Sequence, residues 1–200
     1  IISKLIKNDL NTIAILSGLT TIILLFDMAV FNQFLIKNSL LGYDPIIGAR
    51  FYGIGNEYMG VLVGASIITI SIFFEKFGFK NIILLPFALA VVFIMGNPMM
   101  GANVGGTITI SAAFLFLILK SNGVKIDIKK IIGIFVAIIL IVSFMAWMDF
   151  NNENRSHLAN TILTIINTGP SAILQIIIRK ISMNIQLISA SMWSRVLILA

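Results

Sequence analysis

The chain has 200 residues, of which 58% are hydrophobic and only 11% charged, and its mean hydropathy is +1.04. That is too little charge to clothe a water-soluble domain, so the composition implies an all-α, polytopic bundle of transmembrane helices with the lipid bilayer as its first partner. The absence of cysteine excludes disulfides, thiolate metal sites and a cysteine nucleophile, and the net charge of +6 sits on lysines flanking apolar runs, an arrangement that argues for membrane topology and against nucleic acid.

A spanning helix needs about 20 mainly apolar residues, because a bilayer core is about 30 Å thick and a helix rises about 1.5 Å per residue. Five runs are predicted to be spans: residues 12–34, interrupted by Asp27, then 56–74, 81–95, 104–119 and 131–148. The third and fourth are short and meet at Gly96-Asn-Pro-Met-Met-Gly-Ala-Asn103, where Pro98 can open a helix but not continue one. This joint is expected to be a broken-helix or re-entrant turn packed inside protein. After the fifth run the polar stretch from Asp149 to His157 reads as a loop. Residues 158–178 leave two readings open, a Pro-kinked sixth span ending at Arg179 and Lys180 or an amphipathic helix lying in the membrane interface and continued by 183–193. A further apolar run begins near 186–200, and the 200 residues are read as one transmembrane domain cut from a longer protein.

With the N-terminal end in the cytoplasm, the inner connections carry Lys4, Lys7, Lys76, Lys80, Lys120, Lys125, Lys129 and Lys130, and the outer ones only Lys37, Arg50 and Arg155. The positive-inside bias favours that orientation. The frame Gly-Asn-x-x-Met-Gly-x-x-Val-Gly occurs at 55–64 and again 41 positions later at 96–105, each copy before a long apolar run. It is read as a parallel repeat of a two-helix unit whose copies start on the same side.

Candidate chemistry gathers at that outer side. Ionisable groups at membrane depth are costly and usually face a cavity or a partner, which singles out Glu57 and Asp27. Two helix N-termini converging at one depth favour an anion, with Arg50 and Arg155 as bidentate ligands for a phosphate or carboxylate. Asn56, Asn97 and Asn103 are placed to orient such a substrate, and Glu57 or His157 to serve as its base. The structural alternatives are equally concrete: Asn56 and Asn97 as helix caps, Gly60/Gly64 and Gly101/Gly105 as seams of close helix contact, Glu57 as a salt-bridge partner of Arg50, and Phe51, Tyr52 and Tyr58 as an interfacial belt. No metal-ligand spacing and no nucleotide fingerprint occurs in the sequence, so no cofactor is assigned.

The segment Gly42-Tyr-Asp-Pro-Ile-Ile-Gly-Ala-Arg-Phe-Tyr-Gly-Ile-Gly-Asn-Glu-Tyr-Met-Gly60, with Gly101-Ala-Asn-Val-Gly-Gly106 and Arg155-Ser-His157, resembles a group of poorly characterised bacterial multi-pass membrane proteins. The resemblance implies a bacterial inner-membrane protein and carries no activity. The residues themselves leave three functional classes: an outward-facing site that transfers or hydrolyses an anionic envelope or lipid-linked substrate; alternatively, an ion-coupled secondary transporter or permease; and a structural or assembly subunit.

Overall fold

A computed structural model describes residues 9–39, 53–77, 81–151, 162–163, 165–167 and 169–190. Its described elements are all helical: α1 (Asp9–Ala29), α2 (Phe34–Lys37), α3 (Asn56–Phe77), α4 (Asn81–Gly96), α5 (Val104–Ser121), α6 (Ile128–Phe150) and α7 (Pro170–Ala190). Four of them, α1, α3, α5 and α6, are long and apolar enough to cross a membrane. At 16 residues, α4 is about 24 Å long, short of a full hydrocarbon core. This is an integral membrane helix bundle. The chain forms two compact units, Ile1–Glu153 and Asn154–Ala200.

In the first unit consecutive long helices run antiparallel, so that α1 ends, α3 begins, α4 turns into α5 and α6 ends at the same end of the bundle. Helix α1 packs against α3, and α5 packs against α3, α4 and α6. The buried centre is built from Leu24, Met28, Leu62, Val91, Met95, Ile110 and Phe114, one or two from each inner helix. The outward residues are equally apolar, among them Leu140 and Trp147 on α6, as a lipid-facing surface requires. Lipid tails are as apolar as leucine, so helix association in this setting relies on close contact and interhelical hydrogen bonds. One such bond joins α3 to α1, from Thr69 Oγ1 to Ser17 Oγ at 3.0 Å.

The first apolar run does not continue as helix to Phe34. Helix α1 stops at Ala29, Asn32 and Gln33 take left-handed backbone (φ 51° and 62°), and the chain restarts as α2. Asp27 causes the restart: its two carboxylate oxygens accept the backbone N–H groups of Leu35 (2.9 Å) and Ile36 (3.0 Å). The carboxylate thereby satisfies the free amides of the new helix, which its sequence neighbour Gln33 leaves uncapped.

The glycine seams are placed differently from the sequence expectation. A Cβ on Gly60 or Gly64 would meet nothing within 4 Å, because α3 buries another stripe, through Leu62, Ser66 and Ile70. The tight approaches are at Gly106, where a Cβ would come 2.7 Å from Met59 Cγ, and at Gly96, where it would strike the Met145 side chain. Gly105 has only Asn103 Oδ1 near it, at 3.7 Å.

Candidate functional site

The two copies of the repeated frame have different backbones. In the first, the Gly55 carbonyl accepts Met59 N at 2.9 Å and helix α3 starts at Asn56. In the second, Gly96 closes α4, residues 97–103 form a turn, and helix resumes only at Val104. Pro98 explains the divergence, since its ring would clash with a continuing helix. The turn is closed by its own backbone, with Gly101 N donating to Ile94 O (2.9 Å), Ala102 N to Asn97 O (3.0 Å) and Asn103 N to Met95 O (3.1 Å). Gly101 must be glycine here, because a Cβ would collide with the Met95 carbonyl oxygen.

This turn is fastened to the start of α3 from both sides. Ile54 N donates to Gly101 O at 2.7 Å, and Asn103 Nδ2 donates to Ile54 O at 2.9 Å. Gln33, reaching from the α1–α2 corner, accepts Gly53 N at its Oε1 (2.8 Å) and donates from Nε2 to Met100 O (2.9 Å). Gly53 has φ +85°, and a Cβ there would lie 2.5 Å from the Gly101 carbonyl oxygen. The N-termini of α3 and α5 therefore do converge, held by a small buried hydrogen-bonded platform. Sequence reasoning did not single out Gln33; its only signal was a polar side chain just inside the end of a predicted span.

The candidate residues divide on this platform. Asn103 is buried and both ends of its amide are engaged, Oδ1 capping α5 through Gly106 N at 2.8 Å and Nδ2 holding Ile54. Asn97 is half-buried and its Oδ1 accepts Met99 N at 2.9 Å, an Asx turn inside the joint; the cap of α5 is Asn103. Asn56 and Glu57 are exposed in the first turn of α3. Asp27 is fully buried and occupied by α2, so its carboxylate serves the fold. Tyr58 donates its hydroxyl to Ser39 Oγ at 2.7 Å, a contact that anchors the chain after α2. Asp149 lies inside the last turn of α6 and is buried, so the loop after the fifth run begins later than Asp149.

Arg50, Arg155 and His157 lie outside the described residues, as do Phe51 and Tyr52. Among the described residues no group of three or more His, Cys, Asp or Glu side chains is placed to hold a metal ion. Set against known proteins, the chain matches no family model, no curated protein and no solved structure.

Proposed function

We propose that this is a multi-pass protein of a bacterial cytoplasmic membrane, with its N-terminal end in the cytoplasm, that binds an anionic envelope or lipid-linked substrate at its outer face and transfers or hydrolyses it. The observation that carries the reading is the exposed pair Asn56 and Glu57, standing on a helix start that Gln33, Gly101 and Asn103 pin in place. Side chains turned away from the protein are free to meet a substrate, and a pinned backbone keeps them from moving away. The adjoining starts of α3 and α5 supply partial positive charge for the anion, and Arg50 and Arg155 supply the bidentate contacts. Glu57 or His157 takes the proton, Asn56 and Asn97 orient the substrate, and Asn103 acts from beneath by holding the platform. The lysine asymmetry supports the orientation.

Metabolite profiling of cells carrying wild type or Glu57→Gln tests it. Accumulation of a lipid-linked envelope precursor in the variant is the expected result; an unchanged profile at equal protein level in Glu57→Gln, and again in His157→Gln, overturns it.

A transporter reading rests on a different observation. Ser111 Oγ, midway along α5, is buried and has no hydrogen-bond partner among the described residues. An unsatisfied hydroxyl buried at mid-span is costly, and a solute or coupling ion that reached it would supply the missing partner. Loss of uptake of a labelled solute in Ser111→Ala, with precursor levels unchanged, would favour that reading.

A further inference from the structure

Helix α7 differs in kind from the other long helices. Along Pro170–Ala190 the apolar residues Leu174, Ile177, Ile178, Ile181, Ile185 and Ile188 recur at helical spacing, and all are at least 49% exposed. At 100° per residue they fall in one arc of the helix circumference, while Ser171, Gln175, Arg179, Ser182 and Gln186, also exposed, fall in another. Arg179 and Lys180 occupy the middle of the helix, where a spanning arrangement would set two adjacent cations at the bilayer centre. Pro170 is the first residue of α7, a position that suits proline and produces no kink.

We infer that α7 lies in the plane of the membrane interface, with its isoleucine-rich arc among the acyl chains just below the headgroups and its Ser/Gln/Arg arc in the headgroup layer. Three observations name the bilayer as the occupant. The helix is tethered by residues 151–169 to α6, which is long and apolar enough to cross the membrane, so a lipid surface is within reach of the chain. No Asp or Glu occurs from Leu158 to Ala200, whereas Arg179, Lys180 and Arg195 do, so nothing in this stretch repels lipid phosphate. The apolar arc is made of bulky aliphatic side chains, and the polar arc is mainly uncharged, so attachment depends on apolar insertion far more than on lipid charge. This inference stands apart from the catalytic proposal; it needs only the membrane-spanning character of the first unit.

The natural absence of cysteine permits a direct test on the full chain reconstituted in phosphatidylcholine vesicles. Single cysteines placed in turn at 173–188 and spin-labelled are read for collision with oxygen, which partitions into lipid, and with a water-soluble nickel chelate. Oxygen accessibility should peak at 174, 178, 181 and 185, and chelate accessibility at 175, 179, 182 and 186, out of phase with a period of about 3.6 residues. The lipid-facing labels should sit about 5–10 Å below the headgroups, and adding anionic lipid should change their depth little. Three results overturn the inference. Depth increasing from both ends to a maximum at 179–180 indicates a span. Apolar positions shielded from both reagents, with spin–spin coupling that disappears on dilution, indicate a second copy. The same shielding persisting on dilution indicates cover by another part of the chain.

Discussion

Gln33 and Gly53 are joined by a hydrogen bond from the Gly53 amide to Gln33 Oε1 at 2.8 Å, and the other end of the same side chain holds Met100 O at 2.9 Å. One amide thus ties three separate segments together: the α1–α2 corner, the approach to α3 and the α4–α5 turn. Gln33 is 1% exposed, so a residue unable to make these bonds leaves a buried donor, Gly53 N, and a partly buried acceptor, Met100 O, without partners. Gln33→Leu, close in volume, should destabilise the protein by about 2–4 kcal/mol. Denaturant unfolding in detergent micelles measures this, and a change under about 0.5 kcal/mol would show that the bridge contributes nothing.

Asn103 performs two tasks that substitution can separate. Serine retains a hydroxyl able to cap Gly106 N but cannot replace the Nδ2 bond to Ile54 O, whereas alanine loses both. Asn103→Ser should therefore cost about 1–2 kcal/mol and Asn103→Ala about 2–4 kcal/mol. Equal losses in the two variants would mean that the cap contributes nothing measurable and the Ile54 bond everything.

The helices were legible because apolar run length reports directly on membrane crossing, and the break before α5 because Pro98 cannot sit inside a continuing helix. The convergence of the α3 and α5 starts was legible too, from the alternation of helix direction. Asp27 was ambiguous: an acid near the end of an apolar run has the same sequence signature whether it faces a ligand or caps the next helix, and only the left-handed turn at Asn32 and Gln33 decides between them. The repeat misled at Gly60 and Gly64, since identity of spacing says nothing about which face of a helix meets a neighbour. Gln33 escaped notice because a long-range bond to Met100, 67 residues away, leaves no local pattern.

Asp27 is expected to be needed for the fold and dispensable for recognition. Asp27→Ala leaves the buried Ile36 amide and the partly buried Leu35 amide without acceptors and should destabilise by about 2–4 kcal/mol, while Asp27→Asn retains one acceptor and should lose less. Precursor turnover or uptake, normalised to folded protein, should match wild type in Asp27→Asn. A selective loss of function at full folded yield would instead place the carboxylate in the site.

Glu57 should behave in the opposite way. It is exposed in the first turn of α3, where its charge is favoured by the helix dipole, so Glu57→Gln should cost no more than about 0.3–1 kcal/mol in stability. Unfolding in detergent and size-exclusion behaviour should be nearly unchanged while precursor levels change. If Glu57→Gln unfolds the protein, its role is structural and the proposed base must be His157.

The glycines offer the sharpest comparison between packing and mere helix propensity. At Gly60 and Gly64 an added methyl meets nothing, and alanine in a helix interior is favoured over glycine by about 0.8–1 kcal/mol, so each Gly→Ala change should be neutral or stabilising. At Gly106 the same methyl would come 2.7 Å from both Met59 Cγ and Met95 Sδ, so the side chains that α3 and α4 pack against it must both shift. Gly106→Ala should therefore cost about 1–3 kcal/mol despite the same gain in propensity. Thermal unfolding of the three variants in one detergent measures the difference directly. Because Gly64 and Gly105 are equivalent in the repeated frame and Gly106 is not part of it, a large loss at Gly64 with none at Gly106 would restore the repeat as the packing motif and overturn the arrangement of α3 against α5 described above.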